Sequence, residues 1–342
     1  MSELLNNIYF NFALMIVAFL ILVKSADLFV ESAIGISNDF HIPRMIVGII
    51  VVGFATTAPE IAVSVISALR GNSEFALGNA IGSVIVDDGV ALAMAAIVAP
   101  TVIFIDKKIM KTTGIFLLSV AIITYVLAFN GIINRLEGML LVVILLSYFT
   151  FIFVSEKKRH KIKTEEISKS KLEIEKPNIK KHAILFFIGL TGVIFASHLI
   201  VTSAEQIAIF FKVPNVIIGL TIIAIGTSLP EISTAIIAAR KGEGELAVGN
   251  ILGADILNLL WIIGISSIVN PINVISDKIS VSLFSLKFHD IPSIHFSFSW
   301  MFIIVITMLV LMRLGYNLKR WKGYLLLSLY SIYFYMNFSM FG

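Results

Sequence analysis

The sequence predicts an all-α membrane protein with ten transmembrane helices arranged as two inverted five-helix repeats. Three observations lead there. Of 342 residues, 58% are hydrophobic and 14% charged, whereas soluble domains run near a quarter charged. The apolar residues fall in blocks such as 8–23, 112–129, 139–154, 183–200 and 298–312, close to the roughly 20 residues a helix needs to cross a bilayer. Finally, the first part of the chain recurs in the second.

The recurrence is explicit. Gly-Phe-Ala-Thr-Thr-Ala-Pro-Glu at 53–60 returns as Ala-Ile-Gly-Thr-Ser-Leu-Pro-Glu at 224–231, which displaces Glu60 to Glu231 by 171 residues. The same displacement carries Pro43 onto Pro214, Gly48 onto Gly219, Gly71 onto Gly242, Glu74 onto Glu245, Gly78-Asn79 onto Gly249-Asn250, Gly82 onto Gly253 and Pro100 onto Pro271. Of the 58 pairs from 43 to 100, 19 are identical. Shared apolar composition does not produce that many, so the unit is duplicated.

Five helices are predicted ahead of the one long hydrophilic segment, at about 8–37, 42–69, 73–99, 110–129 and 136–155. Five more follow it, at about 183–211, 213–240, 244–269, 296–313 and 321–339. Five is odd, so the second half is inverted. The chain divides into a first repeat (1–155), a basic linker (156–182) and a second repeat (183–342). Ten Lys and Arg against five Glu in the linker make it cytoplasmic, with both termini outside, in a multi-pass protein of the cell membrane. Lys107, Lys108, Lys111, Arg240, Lys241, Arg313, Lys319, Arg320 and Lys322 fall on the linker's side; Arg70, Arg135, Lys212, Lys278 and Lys287 fall opposite.

Other classes are excluded by what is missing. No alternation of period two marks a spanning barrel. The first apolar block lacks a preceding basic residue and a following cleavage site, so it reads as a retained helix. There is no cysteine, which removes a thiolate metal centre, a disulfide framework and a cysteine nucleophile. The net charge of +4 is segregated to loops and reports orientation, not nucleic-acid binding.

Ionisable residues at bilayer depth cost about 2.5–3.5 kcal/mol each or more, so they mark function. Glu60 and Glu231 each follow a proline, which lacks an N–H and frees carbonyls a turn earlier, near Gly53–Ala55 and Ala224–Gly226. Thr56 and Thr57, matched by Thr227 and Ser228, lie one turn before each glutamate. In the next helix Gly78-Asn79 or Gly249-Asn250 and a further glycine allow close helix approach. Ser83 and Asp87 follow at i, i+4, matched by Ala254 and Asn258. Carboxylates, hydroxyls and carbonyls are hard oxygen donors suited to Na⁺ and Ca²⁺. Asp88, Asp255, Asp27 and Glu31 have no acidic twin under the displacement and stay outside this ligand set.

With these motifs the chain resembles the sodium/calcium exchanger branch of the Ca²⁺/cation antiporter superfamily, whose repeats read roughly G-T-S-L-P-E and then G-N-x-x-G-S-x-x-x-[ND]. Gly226 to Glu231 matches the first motif letter for letter; the first copy departs at Ala55, Thr57 and Ala58. The resemblance implies alternating access, with Ca²⁺ and Na⁺ as transported ions, no cofactor, no catalytic residues and no protein partner. The implied ligand positions are Thr56, Thr57, Glu60, Ser83 and Asp87 in the first half. In the second they are Thr227, Ser228, Glu231 and Asn258, with Ala254 in place of the usual serine. Family members carry Asn in the first repeat and Asp in the second where this chain has Asp87 and Asn258. Ca²⁺/H⁺ and K⁺-dependent Na⁺/Ca²⁺ antiport are the alternatives, followed by a passive channel. An intramembrane hydrolase lacks its His-Glu-x-x-His pair or nucleophile with base.

Overall fold

The computed structural model describes residues 8–167, 178–211, 224–274, 278–283 and 286–339. The chain is helical nearly throughout. Helix α1 (Ile8–Phe40) leads through a short loop to α2 (Arg44–Thr56), α3 (Ala58–Leu69) and α4 (Glu74–Val98). Then come α5 (Lys107–Phe129), α6 (Arg135–Ile167) and α7 (Ile179–Phe210). The last five are α8 (Ala224–Thr227), α9 (Leu229–Arg240), α10 (Gly244–Val269), α11 (Ser293–Arg313) and α12 (Arg320–Ser339).

Seven helices among the described residues are long and apolar enough to span a bilayer, and the bent pair α2–α3 makes an eighth. The ten expected crossings are therefore met only in part by length and composition. The expected helix 213–240 is described only from Ala224, and Lys212 lies outside the described residues, as do the side chains of Lys278 and Lys287. Helices α6 and α7 reach past the expected edges of the linker at 156 and 182, because Glu, Lys and Arg are good helix formers in water. Helix α5 starts three residues before the expected 110 because the Asp106 carboxylate accepts the N–H groups of Lys108 and Ile109, both at 2.9 Å.

Helices α4 and α10 are mostly buried, whereas α1, α5, α6 and α7 expose apolar side chains such as Ile16, Leu20, Val126, Phe129, Leu146 and Phe187. A shell of that kind requires lipid as its solvent. Short antiparallel strand pairs tie the halves together: Ile103–Phe104 with Asn317–Leu318, and Ile132–Ile133 with Ile272–Asn273. These pairs lie at opposite ends of the 23-residue α5, roughly 35 Å apart at 1.5 Å per residue. A third pair, Lys278–Leu283 with Leu286–Pro292, lies between α10 and α11.

Helices α1 and α7 pack along each other in backbone contact. A Cβ on Gly189 would stand 2.7 Å from the Phe29 nitrogen, and one on Gly35 would stand 2.5 Å from the His182 ring. His182 Nδ1 sits 2.7 Å from Asp39 Oδ2 at the end of this seam. Lys322, counted above among the loop charges, is in fact buried. Its ammonium donates to the carbonyls of Leu311 and Leu314 at 2.6 Å and Asn317 at 2.8 Å, closing the carbonyl end of α11.

Candidate ion-binding site

The site is built where helices break. Pro59 and Pro230 occupy the first turns of α3 and α9, and each helix is preceded by one residue at the break: Thr57 at φ −76°, ψ −1°, and Ser228 at φ −84°, ψ 6°. The axis bends by 45° at Thr57. Glu60 and Glu231 thereby fall in the first turns of α3 and α9, where the N-terminal end of the helix dipole favours negative charge.

A second irregularity is also paired. A π-helical segment runs from Asp87 to Leu92 within α4, and another from Asn258 to Ile262 within α10. Inserted turns of this kind turn a side chain out of the regular helical register and recur at functional sites. Both begin at positions the duplication makes equivalent.

The structure brings most of the expected residues together. Thr57 Oγ1 donates to Glu231 Oε1 at 3.3 Å, across the two halves. Asn258 Nδ2 lies 3.5 Å from Asp87 Oδ2. Glu60 is within electrostatic reach of Glu231 and Asp87, and Ser228 faces Asp87 short of hydrogen-bond geometry. Thr56, Thr57, Glu60, Ser83, Asp87, Ser228, Glu231 and Asn258 are all buried, while Thr227 is half-buried. Both carboxylate oxygens of Glu60, Glu231 Oε2, Asp87 Oδ1 and the Ser228 hydroxyl have no hydrogen-bond partner.

Such a set is chemically lopsided, rich in acceptors and poor in donors. Leaving buried acceptors unmet costs about 1–3 kcal/mol each, more when charged, and a desolvated cation supplies what they lack. Among the described residues no three His, Cys, Asp or Glu stand close enough to hold a metal by themselves. Hydroxyls, amides and carbonyls must therefore complete any shell for an ion such as Ca²⁺, which takes six to eight oxygens.

Two expectations are corrected. The Gly53 carbonyl is not free, since it accepts the Thr57 N–H at 3.0 Å. The glycines also differ between copies. A Cβ on Gly48 would meet Leu246 O at 2.6 Å, one on Gly249 would collide with Met45 O and one on Gly253 with Ile49 O. Helices α2 and α10 thus touch backbone to backbone. Gly78 in α4 is exposed, and Asn79 beside it bonds Ser64 at 3.0 Å, so the first copy makes no equivalent seam among the described residues.

Two acids set aside on sequence grounds belong to the same interior. Asp88 and Asp255 are fully buried and face each other, next to Asp87, with no donor to any of their four oxygens. The signal was available: Asp255 corresponds to position 84, and 84 and 88 share a helix face at i, i+4. Asn250, read above only as part of a close helix approach, is fully buried against Thr56.

Residues 10–154 and 181–339 match the family described as sodium/calcium exchanger protein. Inner membrane protein YrbG of Escherichia coli is 33% identical over 262 residues, covering 76% of this chain and 80% of that protein. Sodium/calcium exchanger MaX1 of Methanosarcina acetivorans is 27% identical over 353 residues, covering 94% and 96%. A solved structure of the sodium-calcium exchanger NCX_Mj, soaked with Na⁺ and Sr²⁺, shares the fold with a TM-score of 0.76 at 23% identity, covering 95% of this chain and 98% of that one.

Proposed function

We propose that this chain, which belongs to the sodium/calcium exchanger protein family, exchanges Ca²⁺ for Na⁺ by alternating access at a site midway across the bilayer. The observation that carries this reading is the buried, donor-poor oxygen cluster of Glu60, Glu231 and Asp87, to which both halves contribute. Three carboxylates bring a charge of −3 when ionised. One divalent ion, or several monovalent ions in succession, answers that charge; holding both sets at once overfills it. Mutual exclusion is what couples the two fluxes. Thr56, Thr57, Ser83, Thr227, Ser228 and Asn258 complete the shell as neutral oxygen donors.

The chain crosses the membrane ten times in this reading, as repeats 1–155 and 183–342 of opposite orientation. The linker 156–182 is cytoplasmic and both termini are outside. The strand pairing supports this arrangement. Loops at 103–104 and 317–318, which meet, both fall on the linker's side under ten crossings. Loops at 132–133 and 272–273, which also meet, both fall on the other.

The test is Ca²⁺ uptake into reconstituted vesicles under an outward Na⁺ gradient, repeated with a pH gradient and with a K⁺ gradient. Na⁺-driven uptake is the expected result. Uptake driven by pH alone would transfer the chain to Ca²⁺/H⁺ antiport, a requirement for K⁺ to the K⁺-dependent class, and flux indifferent to any counter-ion to a channel.

A further inference from the structure

The Thr56 hydroxyl has one proton and an excess of acceptors. Its Oγ1 lies 3.1 Å from Val52 O, 3.3 Å from Gly53 O and 3.1 Å from Asn250 Oδ1, and it also lies against Glu231. Asn250 has the opposite problem. It is fully buried, and its Nδ2, which carries two N–H donors, has no partner at all. Leaving those buried donors without an acceptor costs the full desolvation penalty of the group. Turning the Asn250 amide by 180° about its Cβ–Cγ bond resolves both at once, with no change of shape. Nδ2 then donates to Thr56, whose own proton goes to the Val52 carbonyl. Oδ1 takes the place now held by Nδ2, where no protein group bonds it.

We infer that Asn250 is a binding residue for the transported cation: its side-chain carbonyl is an oxygen ligand on Glu231's side of the site, and its N–H fixes Thr56. This rests on the exchange reading and adds a residue to it. The position is held rigidly, because the contacts of Gly48, Gly249 and Gly253 lock α10 against α2 on either side of Asn250. The equivalent Asn79 is half-buried and bonded to Ser64. The amide ligand is therefore particular to the second repeat.

The measurement is equilibrium ⁴⁵Ca²⁺ binding to the purified full-length protein, with Na⁺-driven uptake in vesicles alongside. Asn250→Ala should weaken Ca²⁺ binding by about tenfold, the scale of one polar contact to a charged group. Asn250→Asp keeps an oxygen at the same place and should bind Ca²⁺ within a few-fold of the unsubstituted protein, while Na⁺ competes less well. Asn79→Ala should stay within about twofold. Binding by Asn250→Ala equal to or tighter than that of the unsubstituted protein would overturn the inference, because it would mean that N–H groups face the ion. So would equal losses in Asn250→Ala and Asn250→Asp, the mark of a packing role. Absence of Ca²⁺ binding in the unsubstituted protein would remove the exchange reading itself, which the first arm alone reveals.

Discussion

Asn258 Nδ2 and Asp87 Oδ2 lie 3.5 Å apart in space and 171 positions apart in sequence, which is the displacement of the duplication. On the inverted-repeat arrangement proposed above, equivalent residues touch only on the local twofold axis relating the repeats, and this contact is the one such a pair would make there. A carboxylate there is shared evenly by the two halves. Asp87→Asn lowers the site's charge and Asn258→Asp adds a further acid in low dielectric beside Asp87, where repulsion favours proton uptake. Each single change should cut Na⁺-driven Ca²⁺ flux by roughly tenfold or more. The double change restores the charge and should recover most of the activity. A double mutant no better than the worse single one would show that the two positions are not interchangeable.

Glu60 and Glu231 should be indispensable. Replacing either by Ala should weaken Ca²⁺ binding by roughly 100-fold or more, because a desolvated divalent ion then loses one of its opposing charges. Glu60→Gln is the sharper probe. Both Glu60 oxygens lack a donor, so removing the charge should raise the Tm of the ion-free protein while abolishing the further rise on adding Ca²⁺. A Ca²⁺-dependent rise in Tm that survives Glu60→Gln would count against Glu60 as a ligand.

Na⁺ and Ca²⁺ should compete. At constant ionic strength the apparent Kd for Ca²⁺ should climb steeply with Na⁺, with more than first-order dependence, since several monovalent ions replace one divalent. A Kd indifferent to Na⁺ would separate the two ions' sites.

Gly249→Ala and Gly253→Ala should each destabilise the protein by about 1–3 kcal/mol, because each added methyl meets a backbone carbonyl, of Met45 or Ile49, that has no rotamer to yield. Gly78→Ala, at an exposed position, should be nearly neutral. Thermal unfolding in detergent with and without Ca²⁺ reads the difference.

Helices α1 and α7 are expected to move together against the rest. Their seam is continuous from Gly189 at Phe29 to His182 at Asp39. Helix α1 also packs along α9, and at the turn after α9 that contact is ionic and partly exposed: Lys241 Nζ lies 2.7 Å from Asp27 and 2.8 Å from Glu31. Burial draws the Lys241 ammonium down, but the two carboxylates outweigh it and hold its pKa above the ordinary lysine value. The link is therefore charged at neutral pH, yet partly exposed and weakened by salt. Cross-linking cysteines placed at 39 and 182 should leave transport intact, whereas cross-linking 27 to 241 should stop it. Full transport in the second protein would show that this contact does not open.

Much of the architecture was legible because it rests on local chemistry. Hydropathy places Lys107–Phe129 or Arg135–Ser155 as spans with no knowledge of neighbours. A proline inside a continuing helical run interrupts it and is tolerated in the first turn of the helix that follows, so the irregularities at Thr57 and Ser228 are the ones Pro59 and Pro230 lead one to expect. The limits of that reading lay at helix ends. The start of α5 depends on the Asp106 side chain, and the extension of α6 on helix propensity in water, neither of which hydropathy registers.

By itself, then, the sequence determined the duplication, the pair of broken helices and the glutamates set one turn beyond each break, because spacing and backbone chemistry travel with the chain. Only the tertiary structure decided which side chains meet. It drew Asp88 against Asp255, which no repeat symmetry pairs, and brought Asn250 to Thr56 across 194 residues of chain. It also used the glycines of the second repeat for backbone contact with α2, while Gly78 in the first repeat is exposed. Two copies of one motif have the same local preferences, and a local preference does not say which backbone a glycine will meet.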